Sequence, residues 1–338
     1  MTHKITVRPG GQTCLAEADT TILRAALAAN INLPYGCRNG TCGNCKGRVV
    51  EGRVDHGLLP GAGALSDAER EQGYALFCCA RPLSDLVVEA RRMDADPVHP
   101  VKNLPARVER MQRLAPDVMA LFLKLPANER LDFAAGQYIE IITGDGKRRA
   151  YSLANPPHDN ALLQLHVRLS PGGGFSERVF TQMKERDMLR VEGPLGRFQL
   201  DQASSKPIIL LAGGTGFAPI KSIMEHLLHL GSGRRIDLYW GARDRAGLYL
   251  PDLPLRWAAE QRLRYVPVLS DPLPGDAWDG RCGLVHQAVL ADCADLSAHQ
   301  VYAAGSPAMV VAAQQDFVAR GLPADAFFAD AFNFATSA

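Results

Sequence analysis

No stretch of the chain approaches 18 consecutive apolar residues, so nothing in it reads as a membrane-spanning helix. Neither sign of charge dominates: 37 Lys and Arg stand against 36 Asp and Glu, a net charge of +1. That balance points neither to nucleic acid nor to an anionic membrane as a partner. The first residues, Met1-Thr2-His3-Lys4-Ile5, lack the apolar core of a signal peptide. A soluble cytoplasmic protein, monomeric when free, is the expectation. A disulfide framework is missing too. Of eight cysteines, Cys14, Cys79, Cys282 and Cys293 show no pairing motif and read as small buried hydrophobes.

What the chain does have is a cysteine run. Cys37-Arg38-Asn39-Gly40-Thr41-Cys42-Gly43-Asn44-Cys45 reads C-x4-C-x2-C, and Cys78 follows after 32 intervening residues. This is the ligand spacing of a plant-type [2Fe-2S] cluster. Two irons bridged by two sulfides need four thiolates, and one tight loop supplies three of them only if its backbone folds closely over the cluster. Gly40 and Gly43 leave room for that approach and permit φ > 0. Small residues there let backbone N–H groups point at the sulfurs. The alternatives are a cluster of buried thiols or a zinc site, although structural zinc usually takes its cysteines as two short pairs. On spacing alone the fourth ligand is open between Cys78 and Cys79. In an extended segment neighbours point to opposite faces, so only one of the two faces the cluster.

At 338 residues the chain is too long for one ordinary core and suggests two or three domains. Residues 1–92 read as a small α+β domain. Ile5 and Val7 begin a strand, Gly10-Gly11 turns it, and Asp19-Thr20-Thr21 offers caps for a helix with Ile22, Leu23, Ala26 and Leu27 at helical spacing, ended by Asn30 and Pro34. Residues 47–54 and 83–89 read as strands, and Ser66-Asp67-Ala68-Glu69 as a capping box. Basic and acidic residues nearly balance here, so the segment has no strongly acidic docking face. Residues 93–103, with Pro97 and Pro100, read as a linker. Residues 104–202 alternate strands at 138–142, 149–154 and 162–169 with turns such as Gly144-Asp145-Gly146, the pattern of a barrel or sandwich. From 203 to 338 the pattern becomes strand, turn, helix. Residues 208–212 suit a parallel strand buried on both faces, and a helix carrying Ile220, Ile223, Leu227 and Leu230 follows, stopped by Gly231. Further strands at 236–240, 263–269 and 301–304 make this part doubly wound α/β.

Several motifs after residue 104 resemble those of the ferredoxin-NADP reductase-like flavoproteins. Arg149-Ala150-Tyr151-Ser152 matches R-x-Y-S, which asks for a ring-stacking aromatic, a hydroxyl for the flavin edge and a guanidinium for the phosphate on one strand. Gly172-Gly173-Gly174-Phe175-Ser176 leads into a helix expected over 177–183. A glycine turn capped by Ser176 would present free N–H groups to a pyrophosphate, and a flexible hairpin is the alternative. Gly193-Pro194-Leu195-Gly196-Arg197-Phe198 resembles the G-P-x-G segment closing the flavin domain. Gly213-Gly214-Thr215-Gly216-Phe217-Ala218-Pro219 lies between a strand and a helix, where glycines let a dinucleotide approach the backbone. Its spacing is not G-x-G-x-x-G and resembles instead the family's G-G-x-G-x-A-P.

In order, these motifs cover nearly the whole chain, which resembles the three-domain iron-sulfur flavoprotein reductases. The resemblance implies a multidomain α+β and α/β protein: a β-grasp [2Fe-2S] ferredoxin domain (1–92), a linker, an FAD-binding β-barrel (104–202) and a Rossmann-like NAD-binding domain (203–338). It selects Cys78 beside Cys37, Cys42 and Cys45, because Gly73-Tyr74-Ala75-Leu76-Phe77-Cys78 resembles the leucine-x-cysteine ending of plant-type ferredoxins. Cys79 is left to packing. It implies FAD more than FMN, held by Arg149, Tyr151, Ser152, Gly173, Gly174, Phe175 and Ser176, with His166 and Arg168 lining the site. NADH is implied at Gly213, Gly214, Thr215, Gly216, Gly305 and Pro307. No general acid–base dyad is required, so no catalytic residue is assigned.

Two places depart from the family pattern or need a choice. Ala304-Gly305-Ser306-Pro307 stands where the family commonly has Cys-Gly-x-Pro, which bears on hydride transfer and not on the binding turn. Phe328-Ala329-Asp330-Ala331-Phe332 resembles the family's terminal D-x-F, where Phe332 either covers the flavin ring until nicotinamide displaces it or is anchored in the core. For the cofactor's 2′ position, Ala242 replaces the serine that the family's NADPH users tend to carry, and Tyr249 has no basic residue within three positions. NADH is therefore expected, with Arg243 on the adenosine phosphate or ring and Asp244 near the ribose. The acceptor implied is an oxygenase or hydroxylase of Rieske, di-iron or cytochrome P450 type, or a pyridoxamine-dependent deoxysugar dehydratase as for the CDP-6-deoxy-glucoseen reductases. A non-enzymatic redox sensor is the remaining class.

Overall fold

The computed structural model describes every residue except 1, 30, 32, 37, 39, 41, 42, 58–63, 91–98, 173, 261 and 333–338. The chain forms two compact units, Met1–Val98 and His99–Ala338. Among the described residues no helix is long and apolar enough to cross a membrane.

The first unit is built on a mixed five-stranded sheet in the order Gln12–Glu17, Thr2–Arg8, Leu86–Glu89, Lys46–Glu51, Tyr74–Leu76. In Thr2–Arg8, Ile5 and Val7 face the core while the residues between them do not, the period-two signature of a strand covered on one side. Gly11, at φ +67°, turns the chain into the antiparallel neighbour. Leu86–Glu89 then pairs with Thr2–Arg8 in parallel, the arrangement of the β-grasp. Helix Ile22–Ala28 buries Ile22, Leu23, Ala25 and Ala26, and of the three expected caps it is Thr21 whose hydroxyl accepts from Arg24 N. Asn30, expected to help end this helix, lies outside the described residues. The capping box forms, Ser66 accepting from Glu69 N and Glu69 from Ser66 N. The strand expected over 47–54 stops at Glu51, because Gly52 turns the chain at φ +96° where a Cβ would collide with Asp85 O. The chain resumes as Val54–Asp55 against Arg81–Pro82.

In the second unit six antiparallel strands run in the order Arg148–Ser152, Tyr138–Ile142, Met188–Leu195, Lys102–Ala115, Val118–Lys124, Leu163–Arg168. The two edge strands meet at a Leu153–Leu165 bridge, with Ala154 N donating to Gln164 O, and this closes the sheet into a barrel. Its interior is filled by residues such as Val108, Leu121, Leu123, Ile139, Ile141 and Leu165. Lys102 and Asn103 already belong to the long strand that opens it.

The remaining sheet is wholly parallel, in the order Arg281–Cys282, Arg264–Leu269, Ile236–Ala242, Ile208–Gly213, Gln300–Gly305, Phe327–Ala331. Helices cover both faces, and two consecutive residues show it. Trp240 stacks on Phe217 of helix Phe217–His229 at 3.8 Å, while Tyr239 points the other way and donates to Asp292 of helix Val285–Asp292. Strand order reverses between Ile208–Gly213 and Gln300–Gly305. Their carboxyl ends flank the crevice where open α/β sheets bind ligands.

Candidate functional site

Among the described residues of the cysteine loop, Arg38 (φ +61°), Gly40 (φ +83°) and Gly43 (φ +74°) are left-handed. Among the described residues a Cβ at Gly43 would come no closer than 3.8 Å, to Ala64 O, and its dihedral is one that glycine adopts freely. Cys45 and Cys78 are buried with their sulfurs 3.1 Å apart. Cys37 and Cys42 lie outside the described residues, and among the described residues no three His, Cys, Asp or Glu side chains converge as a metal site. The expectation that Cys78 and Cys79 point to opposite faces is corrected. Residues 77–79 form a turn, with Cys79 N and Ala80 N both donating to Leu76 O, and strand alternation does not apply. The Cys79 sulfur accordingly lies 3.6 Å from that of Cys78. The donor set, two buried thiols facing each other, fits a thiolate-ligated cluster.

On the barrel, strand Arg148–Ser152 places Tyr151 half-buried, its ring 5.6 Å from that of Phe175, and burial pushes its hydroxyl pKa up. Ser152, one residue on, is buried on the opposite side of the strand, and its hydroxyl donates to Asp330 of strand Phe327–Ala331. Asp330 was not legible as a site residue, because the contact spans 178 positions. Only the D-x-F segment hinted at it. Arg149 is half-buried, with Nη1 on Arg148 O.

The glycine turn differs in detail from expectation. The helix is Phe175–Thr181 with Gly174 as its N-cap, so Ser176 sits inside it and does not cap it. Ser176 is buried and instead accepts from Ser170 N and donates to Ser170 O, tying the turn to the end of strand Leu163–Arg168. Among the described residues nothing lies within 4 Å of a Cβ at Gly172 (φ +72°) or Gly174 (φ +48°). Gly173 lies outside the described residues.

His166 and Arg168, on one face of strand Leu163–Arg168, go to different places. His166 is buried, Nδ1 2.9 Å from the Tyr249 hydroxyl and Nε2 3.1 Å from Gln164 Nε2. Lys221 Nζ donates to Gln164 Oε1, which turns the Gln164 amide so that its NH2 meets His166. His166 is thus a neutral imidazole carrying its proton on Nδ1. Burial, assisted by the Lys221 charge, lowers its pKa to about 3. Arg168 reaches the nucleotide turn. A Cβ at Gly214 would lie 3.2 Å from Arg168 Nη1. Asp117 Oδ2 is 3.3 Å from Arg168 Nε, yet Nε and Nη2 are buried without a hydrogen bond. A half-buried guanidinium with two buried nitrogens short of acceptors fits an anionic group such as a dinucleotide phosphate.

At the switch point the glycines prove to serve packing as much as access. A Cβ on Gly216 would collide with Ala304 O, and one on Gly213 would meet Met309 Sδ at 2.6 Å. Gly214 alone of the three adopts a left-handed conformation, φ +53°, and its carbonyl accepts from Trp240 Nε1. Thr215 is buried in the 3-10 turn Gly214–Gly216. Gly305 ends its strand beside Gly213, Ser306 caps helix Pro307–Ala319, and Pro307 takes its first position. Phe332 is half-buried and donates its N–H to Gly305 O. At the end of strand Ile236–Ala242, exposed Arg243 pairs with Asp271, and half-buried Asp244 caps the turn Arg245–Gly247 through Gly247 N.

Family profiles match in the same order: a 2Fe-2S iron-sulfur cluster binding domain over residues 5–83, an oxidoreductase FAD-binding domain over 105–200 and an oxidoreductase NAD-binding domain over 210–315. The CDP-6-deoxy-L-threo-D-glycero-4-hexulose-3-dehydrase reductase of Yersinia pestis is 38% identical, the match covering 98% of this chain and 99% of that one. The reductase component of phenol 2-monooxygenase from a Pseudomonas species is 39% identical over 93% of this chain and 89% of its own. Among solved structures, the Amycolatopsis cytochrome P450 reductase GcoB superposes with a TM-score of 0.79 at 36% identity, covering 98% of each chain.

Proposed function

The chain belongs to the iron-sulfur flavoprotein reductases that join a 2Fe-2S domain, an FAD-binding domain and an NAD-binding domain, and we propose that it draws electrons from NADH and delivers them singly to an oxygenase or hydroxylase component. In this reading residues 1–92 hold the cluster, 93–103 link, with Lys102 and Asn103 already in the first barrel strand, 104–202 hold FAD, 203–338 hold NADH, and the protein works as a cytoplasmic monomer until it meets its acceptor. When bound, FAD would supply two-electron hydride chemistry and the cluster one-electron transfer. The chain supplies binding and alignment. Cys37, Cys42, Cys45 and Cys78 are the cluster ligands. Arg149 and the turn of Gly173 and Gly174 take the FAD phosphates, Tyr151 and Phe175 flank the ring system, and Ser176 braces the turn. Arg168 and residues 213–216 receive the nicotinamide dinucleotide, with Gly305 and Pro307 shaping the crevice. Arg243 and Asp244 face its adenosine half, and Phe332 shields the flavin edge. Ser152, its proton held by Asp330, offers a lone pair to the flavin edge.

The observation that supports this most is the Ser152–Asp330 hydrogen bond. It draws the strand bearing R-x-Y-S against the carboxyl end of the parallel sheet, as passage of hydride from a nicotinamide to a flavin requires. A second reading, with a pyridoxamine-dependent dehydratase as acceptor, is favoured by the near end-to-end match to the hexulose dehydrase reductase. Purified protein should hold two irons, two acid-labile sulfides and one FAD, and zinc in place of iron would overturn the reading. Cys42→Ser should abolish cytochrome c reduction while NADH still bleaches the flavin and reduces ferricyanide. Equal loss of all three would make the cysteines structural, and no cytochrome c turnover by the native protein would point to a sensor. Reconstitution with a purified hydroxylase or dehydratase separates the two acceptors.

A further inference from the structure

The turn at residues 77–79 puts a fifth sulfur beside the proposed ligands. Cys79 Sγ is 3.6 Å from Cys78 Sγ, within reach of a hydrogen bond to sulfur, while Cys78 Sγ is 3.1 Å from Cys45 Sγ on its other side. The placement is fixed by backbone: Cys79 N and Ala80 N both donate to Leu76 O, and the Cys79 peptide packs against Gly57, where a Cβ would lie 2.9 Å from Cys79 O. Gly57 holds φ +66°, so the chain on that side approaches as closely as glycine permits. Cys79 is half-buried and Cys78 buried, so the contact is partly sheltered from water.

We propose that Cys79 is a potential-setting residue: its thiol donates an S–H···S hydrogen bond to the Cys78 sulfur. This rests on the reading that Cys78 is a cluster ligand. Once Cys78 is a metal-bound thiolate it carries no proton, so of the two sulfurs only Cys79 can donate. Reduction adds one negative charge to the cluster, shared with its ligand sulfurs, and a donor to one of them stabilises the reduced form more than the oxidised form. Cys79 therefore raises the cluster's reduction potential and eases the electron's arrival from the flavin.

The test uses the full-length holoprotein, with iron content and an EPR-monitored redox titration as readouts. Cys79→Ala should keep two irons and lower the midpoint potential, shifting the reduction equilibrium roughly threefold to tenfold toward the oxidised cluster, where tenfold corresponds to about 59 mV for one electron. Cys79→Ser, which retains a donor, should recover most of the shift. As a second readout, the iron–sulfur stretching bands of the native protein should shift between H2O and D2O, and the part of that shift carried by Cys79 should vanish in Cys79→Ala and persist in Cys79→Ser. An unchanged potential with iron retained, or equal shifts for Ala and Ser, would overturn the proposal and leave the ligand reading standing. Iron lost from Cys79→Ala but kept by Cys78→Ala would overturn the ligand reading itself, with Cys79 the true fourth ligand.

Discussion

Lowering the pH from 8 to 5 should weaken the second unit by about 2 kcal/mol through one side chain, His166. The imidazole is buried, its Nδ1–H given to Tyr249 and its Nε2 facing the NH2 of Gln164, whose other end accepts from the Lys221 ammonium. A proton on Nε2 would meet that NH2 head-on with a cation close behind, so the folded protein resists it down to a pKa of about 3. In the unfolded chain the same group titrates near about 6.5. Between those values the unfolded state binds a proton that the native state does not, so stability rises with pH. The contribution is whole above about pH 6.5, shrinks as pH falls below it and is exhausted near the folded value. At pH 5 the gap is about 1.5 pH units, at about 1.36 kcal/mol each, and a folded pKa of about 4 would give the same result. The assay is urea unfolding followed by tryptophan fluorescence, since Trp240 lies 5.2 Å from Tyr249. Other groups titrate as well, so the quantity to compare is the pH 8 to pH 5 loss in the native protein against that in His166→Gln, where this titration is absent. The native loss should be larger by about 2 kcal/mol. Equal losses would refute the buried neutral imidazole.

Two further outcomes follow from the nucleotide crevice. Gly216→Ala should cost about 1–3 kcal/mol or more in unfolding free energy, because its Cβ would collide with the Ala304 carbonyl, whereas Gly233→Ala, with nothing within 4 Å, should be near neutral; equal melting temperatures would show that the switch-point packing is looser than described. Asp244→Ser keeps a cap for Gly247 N but removes the charge, so a native kcat/KM preference for NADH of tenfold to hundredfold, roughly 1–3 kcal/mol, should narrow; a native preference for NADPH, or an unaltered ratio in the variant, would dismiss Asp244 as the discriminating group.

Much of the fold could be read from the sequence where one physical signal sufficed. The alternation around Ile5 and Val7, the unbroken run that became Ile208–Gly213 and the cap at Ser66 are local patterns, and local patterns survive folding. The strand Lys102–Ala115 was harder to see, because only Leu104, Ala106 and Val108 mark its inner face among charged and polar neighbours. Its first half, residues 102–107, is paired with Met188–Leu195, more than 80 positions away, and only its second half has the local partner Val118–Lys124. Errors arose where a correct rule met the wrong backbone. Strand alternation does not hold for Cys78 and Cys79, which lie in a turn, and Ser176, although it precedes a helical pattern, lies where the chain has already entered the helix.

The least legible feature of the candidate site is what aligns its two halves. Barrel and parallel sheet are joined by directional bonds: Ser152 to Asp330, His166 to Tyr249, Lys221 Nζ to Ala154 O and Ser222 Oγ to Asn155 O. Their donors and acceptors are buried or nearly so, and each lost bond would leave an unsatisfied group costing about 1–3 kcal/mol. Apolar contacts would hold the two halves together across a range of angles, whereas a set of buried hydrogen bonds is satisfied at one. All four cluster on two segments of the barrel, residues 152–155 and strand Leu163–Arg168, and these are the segments that carry the R-x-Y-S serine, His166 and Arg168. The same short stretches therefore supply the groups proposed to bind cofactor and the bonds that set their angle to the switch point. A substitution at Ser222 or Lys221, on the helix that follows the glycine turn but outside the residues proposed to bind cofactor, should accordingly disturb the approach of nicotinamide to flavin before it disturbs the binding of either.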